Sequence, residues 1–144
     1  MKWKCLVLIV FAMISCYTIA DESRSYAMMA KSSFSGFQCA TLAAQVSDQE
    51  EAERLFQLGY ERGYQFIEAL RAGKIEEDDL RSSAPTVMLM LLDGPSTDFM
   101  LGRIYEWAQK TVLDEVYGVP EESGHRELYV KNEFSKRNCA ALGR

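Results

Sequence analysis

Residues 49–72 read QEEAERLFQLGYERGYQFIEALRA. Leu55, Phe56, Gly59, Tyr60, Gly63, Phe66, Ile67 and Leu70 recur at steps of three and four, which draws one broad face of an amphipathic helix. Gly59 and Gly63 stand four apart on that face, and each costs about 1 kcal/mol relative to alanine in a helix interior. A second helix crossing at close range accounts for them; the alternative is a flexible hinge or a ligand notch. Asp48 or Ser47 is placed to cap this helix, and Glu50, Glu51 and Glu53 load its positive end with acid. Gly73 then ends it as a C-cap residue.

Worked outward from this helix, the chain reads as helical throughout. Residues 26–46 form a first helix, with Phe34, Phe37, Leu42 and small residues on its apolar face and Cys39 inside it. Glu76-Glu77-Asp78-Asp79 lacks the alternating oxygen ligands and the central glycine of a calcium loop, so it reads as the solvated first turn of a short helix. After the break at Ser82 to Pro85, the apolar run 87–92 is expected to be the central core helix, because Met and Leu favour helix and Pro85 suits a first turn.

Residues 93–98 make a tight connection in which Ser96 or Thr97 caps a helix over 99–117. Met100, Ile104, Trp107, Ala108 and Thr111 are expected on its core face. Residues 121–126 read as a polar loop. A last helix over 127–142 carries Leu128, Asn132, Ser135, Cys139 and Leu142 on one face. The predicted fold is all-α: one domain of four to five helices with short connections, packed antiparallel or steeply crossed.

The chain opens Met1-Lys2-Trp3-Lys4 and carries no charge from Cys5 to Ser15. Thr18-Ile19-Ala20 before Asp21 fits a small-x-small cleavage site, so residues 1–20 read as a signal peptide and 21–144 as the exported domain. The apolar stretch is short of the roughly 20 residues of a membrane-spanning helix. A rival reading takes Met13-Ile14-Ser15-Cys16 as similar to a lipobox, which makes Cys16 the lipidated first residue of an anchored envelope protein.

Loss of residues 1–20 leaves 14 cations against 21 acids, a charge of −7. Such a domain lacks the basic stripe of a nucleic-acid binder and is suited to solubility or to a basic partner. Cleavage also leaves two cysteines, Cys39 and Cys139. In an oxidising compartment an even pair points to a disulfide joining the first and last helices. Closing about 100 residues is worth up to about 4–5 kcal/mol by chain entropy.

No catalytic, cofactor or metal motif stands out. His125 is the one histidine, and only Ser123 lies near it in sequence as a nucleophile. One histidine and two cysteines destined for a bridge do not make a zinc site. Asp93, Asp98 and Glu106 are the candidates for a carboxylate pair in a small cell-wall hydrolase; their simpler roles are turn, cap and solvated helix position. Tyr60, Tyr64, Tyr105 and Trp107 belong by ordinary preference in a core. As an alternative, Tyr64, Arg103, Tyr105 and Trp107 are candidates for an interaction surface, with Arg103 over Trp107 as a cation–π pair.

The segments Ser33-Phe34-Ser35-Gly36-Phe37-Gln38-Cys39, Gly94-Pro95-Ser96-Thr97-Asp98-Phe99 and Asn132-Glu133-Phe134, with Asn138-Cys139, resemble those of small exported proteobacterial proteins with no assigned activity. The layout also resembles the immunity proteins that protect Gram-negative cells from type VI secretion amidases. That resemblance is one of size, export, helix content and disulfide, and it transfers no inhibitory residue. It implies a periplasmic or secreted protein, non-enzymatic and without cofactor, that binds another protein.

Overall fold

A computed structural model describes the backbone of residues 2–121 and 124–144 and the side chains of residues 20–121 and 124–144. The side chains of residues 1–19, Cys16 among them, and Ser123 lie outside the described residues. The elements are α1 (Lys2–Gln45), α2 (Gln49–Arg71), α3 (Glu77–Ser83), α4 (Thr86–Met90), α5 (Thr97–Tyr117), α6 (His125–Lys136) and a closing 3-10 turn (Cys139–Ala141). Among the described residues there is no strand, and no helix is long and apolar enough to cross a membrane. The fold is all-α, with six helices where four or five were expected.

The pairing of α1 with α2 organises the rest. Their joint is short because one residue serves both ends. Ser47 takes a left-handed conformation (φ 62°). This lets the Ser47 and Asp48 N–H groups bond back to Ala44 and Ala43 carbonyls at 3.2 and 3.1 Å. Asp48 then caps α2 by accepting from the Glu51 N–H. At the far end the Gly73 and Lys74 N–H groups close the same kind of motif on Leu70 and Ala69, with Gly73 left-handed as its missing Cβ permits.

The α1 and α2 axes run antiparallel and meet where both helices carry small residues. A Cβ on Gly36 would sit 2.9 Å from the Gly59 Cα, and one on Gly59 would sit 2.8 Å from the Phe37 ring. The Ser33 hydroxyl, fully buried, donates to the Gly59 carbonyl at 2.7 Å. The two glycines of α2 are therefore explained by a close helix crossing. α1 also begins earlier than residue 26. No glycine or proline interrupts residues 20–26, and Ser23 is buried with its hydroxyl donating to Asp79 at 2.6 Å and accepting from the Glu76 N–H.

α5 lies across this pair. Its N-cap Ser96 accepts from the Phe99 N–H. Met100, Leu101, Ile104, Ala108, Val112 and Val116 are buried against α1 and α2. Trp107 is not on this face as expected: it is 44% exposed. The core line passes through Ile104 and Ala108, and Trp107 lies to one side of it.

Two further expectations need correcting. The run 87–92 is not a central helix. α4 spans five residues with Met88 alone fully buried, and Met90 is 75% exposed. With α1, α2 and α5 filling the interior, Met88, Leu89, Leu91 and Leu92 cover one side of the core. The last helix also ends early. Asn138 is left-handed (φ 54°), so Cys139 leaves the register of α6 and sits in the 3-10 turn. Reading Cys139 as part of that helix selected the wrong face. Leu128 is exposed, and Val130 is the buried residue, flanked by Tyr129 and Phe134. The Cys39–Cys139 disulfide is present nonetheless, both residues buried, with Cα atoms 5.5 Å apart.

The crossing has a direct test. Gly36→Ala is expected to destabilise by about 1–3 kcal/mol, because overpacking outweighs the helix-propensity gain. Gly102→Ala, on the exposed side of α5 with nothing within 4 Å of its Cβ, is expected to stabilise by about 0.5–1 kcal/mol. Urea denaturation of both variants measures the contrast.

Candidate interaction surface

The helix periodicity of α2 puts its apolar residues against α1 and leaves Glu50, Glu53, Gln57, Glu61, Tyr64 and Glu68 exposed. An aromatic ladder connects this face to the core. Phe37 is buried and lies 5.7 Å, ring to ring, from Phe56. Tyr105 packs edge-on against both, at 5.3 and 5.2 Å. Phe56 stacks on Tyr60 at 6.5 Å, and Tyr60 meets Tyr64 at 6.3 Å. Tyr64, 43% exposed, is the outer end of the ladder. Its ring rests against that of Tyr60, and aromatic packing of this kind restricts a ring's rotamers.

The ladder is pinned to α5 from the side. The Tyr60 hydroxyl donates to the Asp98 carboxylate at 2.6 Å. That bond holds the Tyr60 phenol proton and raises its pKa, with burial adding to the effect. Next to it, Thr97 donates to Glu68 at 2.5 Å and accepts from Arg71 at 3.0 Å. The surface joining α2 to the start of α5 thus carries acids and phenols, and Arg71 stands at its end beside Glu68.

Of the four candidate surface residues, Tyr64 and Tyr105 are joined through this ladder. Arg103 and Trp107 are not part of it; about 160° of the α5 helix separates Trp107 from Tyr105 at 100° per residue. Arg103 does not pair with Trp107 either. Its guanidinium donates to the Asp93 carbonyl at 2.7 Å and lies 6.0 Å from the Phe99 ring, so it clamps the connection before α5. Asp98 and Phe56 are the members of the face that sequence reasoning did not select. A helical wheel of α2 marks Phe56 as apolar, but nothing in either helix alone signals the Tyr60–Asp98 bond.

The groups weighed for chemistry lie apart from one another. His125 is exposed at the start of α6, one residue into a helix rather than within a loop. Asp98 is engaged by Tyr60, while Asp93 and Glu106 are exposed and their carboxylates accept no hydrogen bond among the described residues. Among the described residues no three His, Cys, Asp or Glu side chains gather into a metal-holding group.

Two other carboxylates tie the C-terminal segment down. Arg54 makes paired bonds to Glu51 at 2.7 Å and donates to the Leu142 carbonyl at 2.9 Å. Arg137 bridges Glu133 and Glu115 at 3.2 and 2.6 Å. The Arg54 hydrogen bond holds the Glu51 carboxyl below its ordinary pKa, and the Lys136 and Arg137 bonds do the same for Glu133.

Comparison with protein-family models, curated proteins and solved structures finds no match to this chain.

The lowered carboxylates set the direction of acid sensitivity. A group whose folded pKa lies below its unfolded value, about 4.3 for glutamate, contributes stability that is fully present above that pH. The contribution disappears as pH falls through the folded pKa. Urea midpoints should therefore fall as pH drops below about 4, and Glu51→Gln and Glu133→Gln should each flatten that fall.

Proposed function

We propose that this chain is an exported, non-enzymatic helical protein of the periplasm that binds another protein through the α2–α5 face. The observation that carries the reading is the aromatic ladder ending in Tyr64 among Glu61, Glu68 and Asp98. An exposed aromatic with acids beside it, and with Arg71 and Lys74 at one edge only, is a suitable anchor for a basic protein surface. The −7 charge of residues 21–144 adds long-range attraction to such a partner.

Export is supported by the sequence of residues 1–20 and by the buried disulfide, a bond that persists in oxidising compartments. An immunity-type inhibitor, which blocks a toxic enzyme by covering it, is the specific form of this proposal. Lipid anchoring through Cys16 is the alternative mode of residence, and it leaves the binding face unchanged.

Two measurements on protein recovered from the cell envelope test the reading. The intact mass should begin at Asp21 and rise by two hydrogens on reduction. A photo-crosslinker replacing Tyr64 should give one discrete adduct whose yield falls with salt, while the same group at Trp107 gives none. A full-length mass with free thiols would refute export. Equal crosslinking from both positions, or none from Tyr64, would refute the face.

A further inference from the structure

The arginines of the described residues are engaged, with one exception. Arg24, Arg54, Arg71, Arg81, Arg126, Arg137 and Arg144 pair with carboxylates, and Arg103 is held by backbone carbonyls. Arg62 makes no hydrogen bond or ion pair among the described residues, although it is half-buried. It lies about 160° round α2 from Tyr64 at 100° per residue, so it belongs to a different surface from the acidic face.

Arg62 lines a cavity of about 220 Å³ between α1, α2 and the segment after the 3-10 turn. The remaining wall is mostly apolar: Met29 and the 56% exposed Met28 from α1, Leu58 from α2, and Leu142. Gly143 closes one side. It is left-handed (φ 77°), and its backbone packs against the Leu58 side chain, which a Cβ there would approach to 2.8 Å. Gly143 and Ser32 also line the cavity, and the Gly143 N–H finds no backbone acceptor among the described residues. Unpaired donors beside a methionine-lined apolar wall call for an anionic acceptor attached to an apolar group.

We infer that this cavity binds the free carboxylate of a polypeptide C-terminus whose last side chain is apolar. The planar guanidinium of Arg62 presents two parallel N–H groups to the two carboxylate oxygens. Gly143, whose N–H has no backbone acceptor among the described residues, is the backbone donor assigned to this site, as in other sites that capture chain ends. The apolar side chain enters among Met28, Met29 and Leu58, where unbranched thioethers adapt to its shape. The volume favours one residue over a long acyl chain: it falls below the roughly 300–1,000 Å³ of pockets that enclose drug-sized ligands. This site stands independently of the α2–α5 face.

Calorimetric titration of the full chain with N-acetyl-leucyl-leucine, its C-terminal amide and octanoate tests the inference, with methionine methyl NMR to locate binding. The acid is expected to bind at least about tenfold more tightly than the amide, the discrimination of a charge-assisted bond, and more tightly than octanoate. The Met28 and Met29 methyl signals should shift. Arg62→Gln should abolish the acid–amide difference, and Arg62→Lys should keep part of it because charge remains while the fork is lost. Equal binding of acid and amide, no binding of the acid at millimolar concentration, or shifts confined to other methionines would overturn the site. Tighter binding of octanoate would overturn the assignment to a polypeptide end.

Discussion

The close approach of α1 and α2 at Ser33, Gly36, Gly59 and Gly63 is the constraint on which the other packing depends. Two helix backbones in contact leave no room for side chains between them, so apolar side chains are displaced to the flanks of the seam. Phe37 and Phe66 fill those flanks, and α5 completes the enclosure with Leu101 and Ile104. The Ser33 hydroxyl donates to the Gly59 carbonyl, so the one polar group buried at the contact point is satisfied.

The remaining elements secure this three-helix body from its ends. Ser23 fastens α3 to α1 at one end through Asp79 and the Glu76 N–H. At the other end the Cys39–Cys139 bridge joins α1 to the turn after α6, and Arg54 reaches the Leu142 carbonyl. The C-terminal segment is therefore tied to α1 covalently and to α2 by an arginine. That arrangement sets Leu142 and Gly143 beside the Arg62 cavity, while Tyr64 rests on the aromatic ladder on the other side of α2. Both proposed surfaces rest on helices joined by the same seam, and such support lowers the conformational cost of binding.

The helical architecture was legible in the sequence because α2 has strong periodicity, clear caps and two glycines that only a close crossing explains. The disulfide was legible from the even cysteine count and the expectation of export. Trp107 was placed inside on helix spacing and the 87–92 run on its apolar composition, whereas burial is decided by which elements pack against a segment. Asn138 was not recognised as a left-handed helix stop, and the face of α6 was misread as a consequence. Of the proposed binding face, Tyr64 and Tyr105 were legible as amphipathic aromatics. Their connection through Phe56 and Tyr60, and the loneliness of Arg62, arise only from tertiary contacts that no single helix records.

Native-state hydrogen exchange measures the central claim most directly, because it resolves the stability of each segment separately. If the α1–α2 seam organises the fold, amides of residues 36–43 and 59–67 should exchange only through global unfolding. Amides of α3, α4 and α6 should open at lower free energy. Seam amides that exchange as readily as those of α4 would contradict the account.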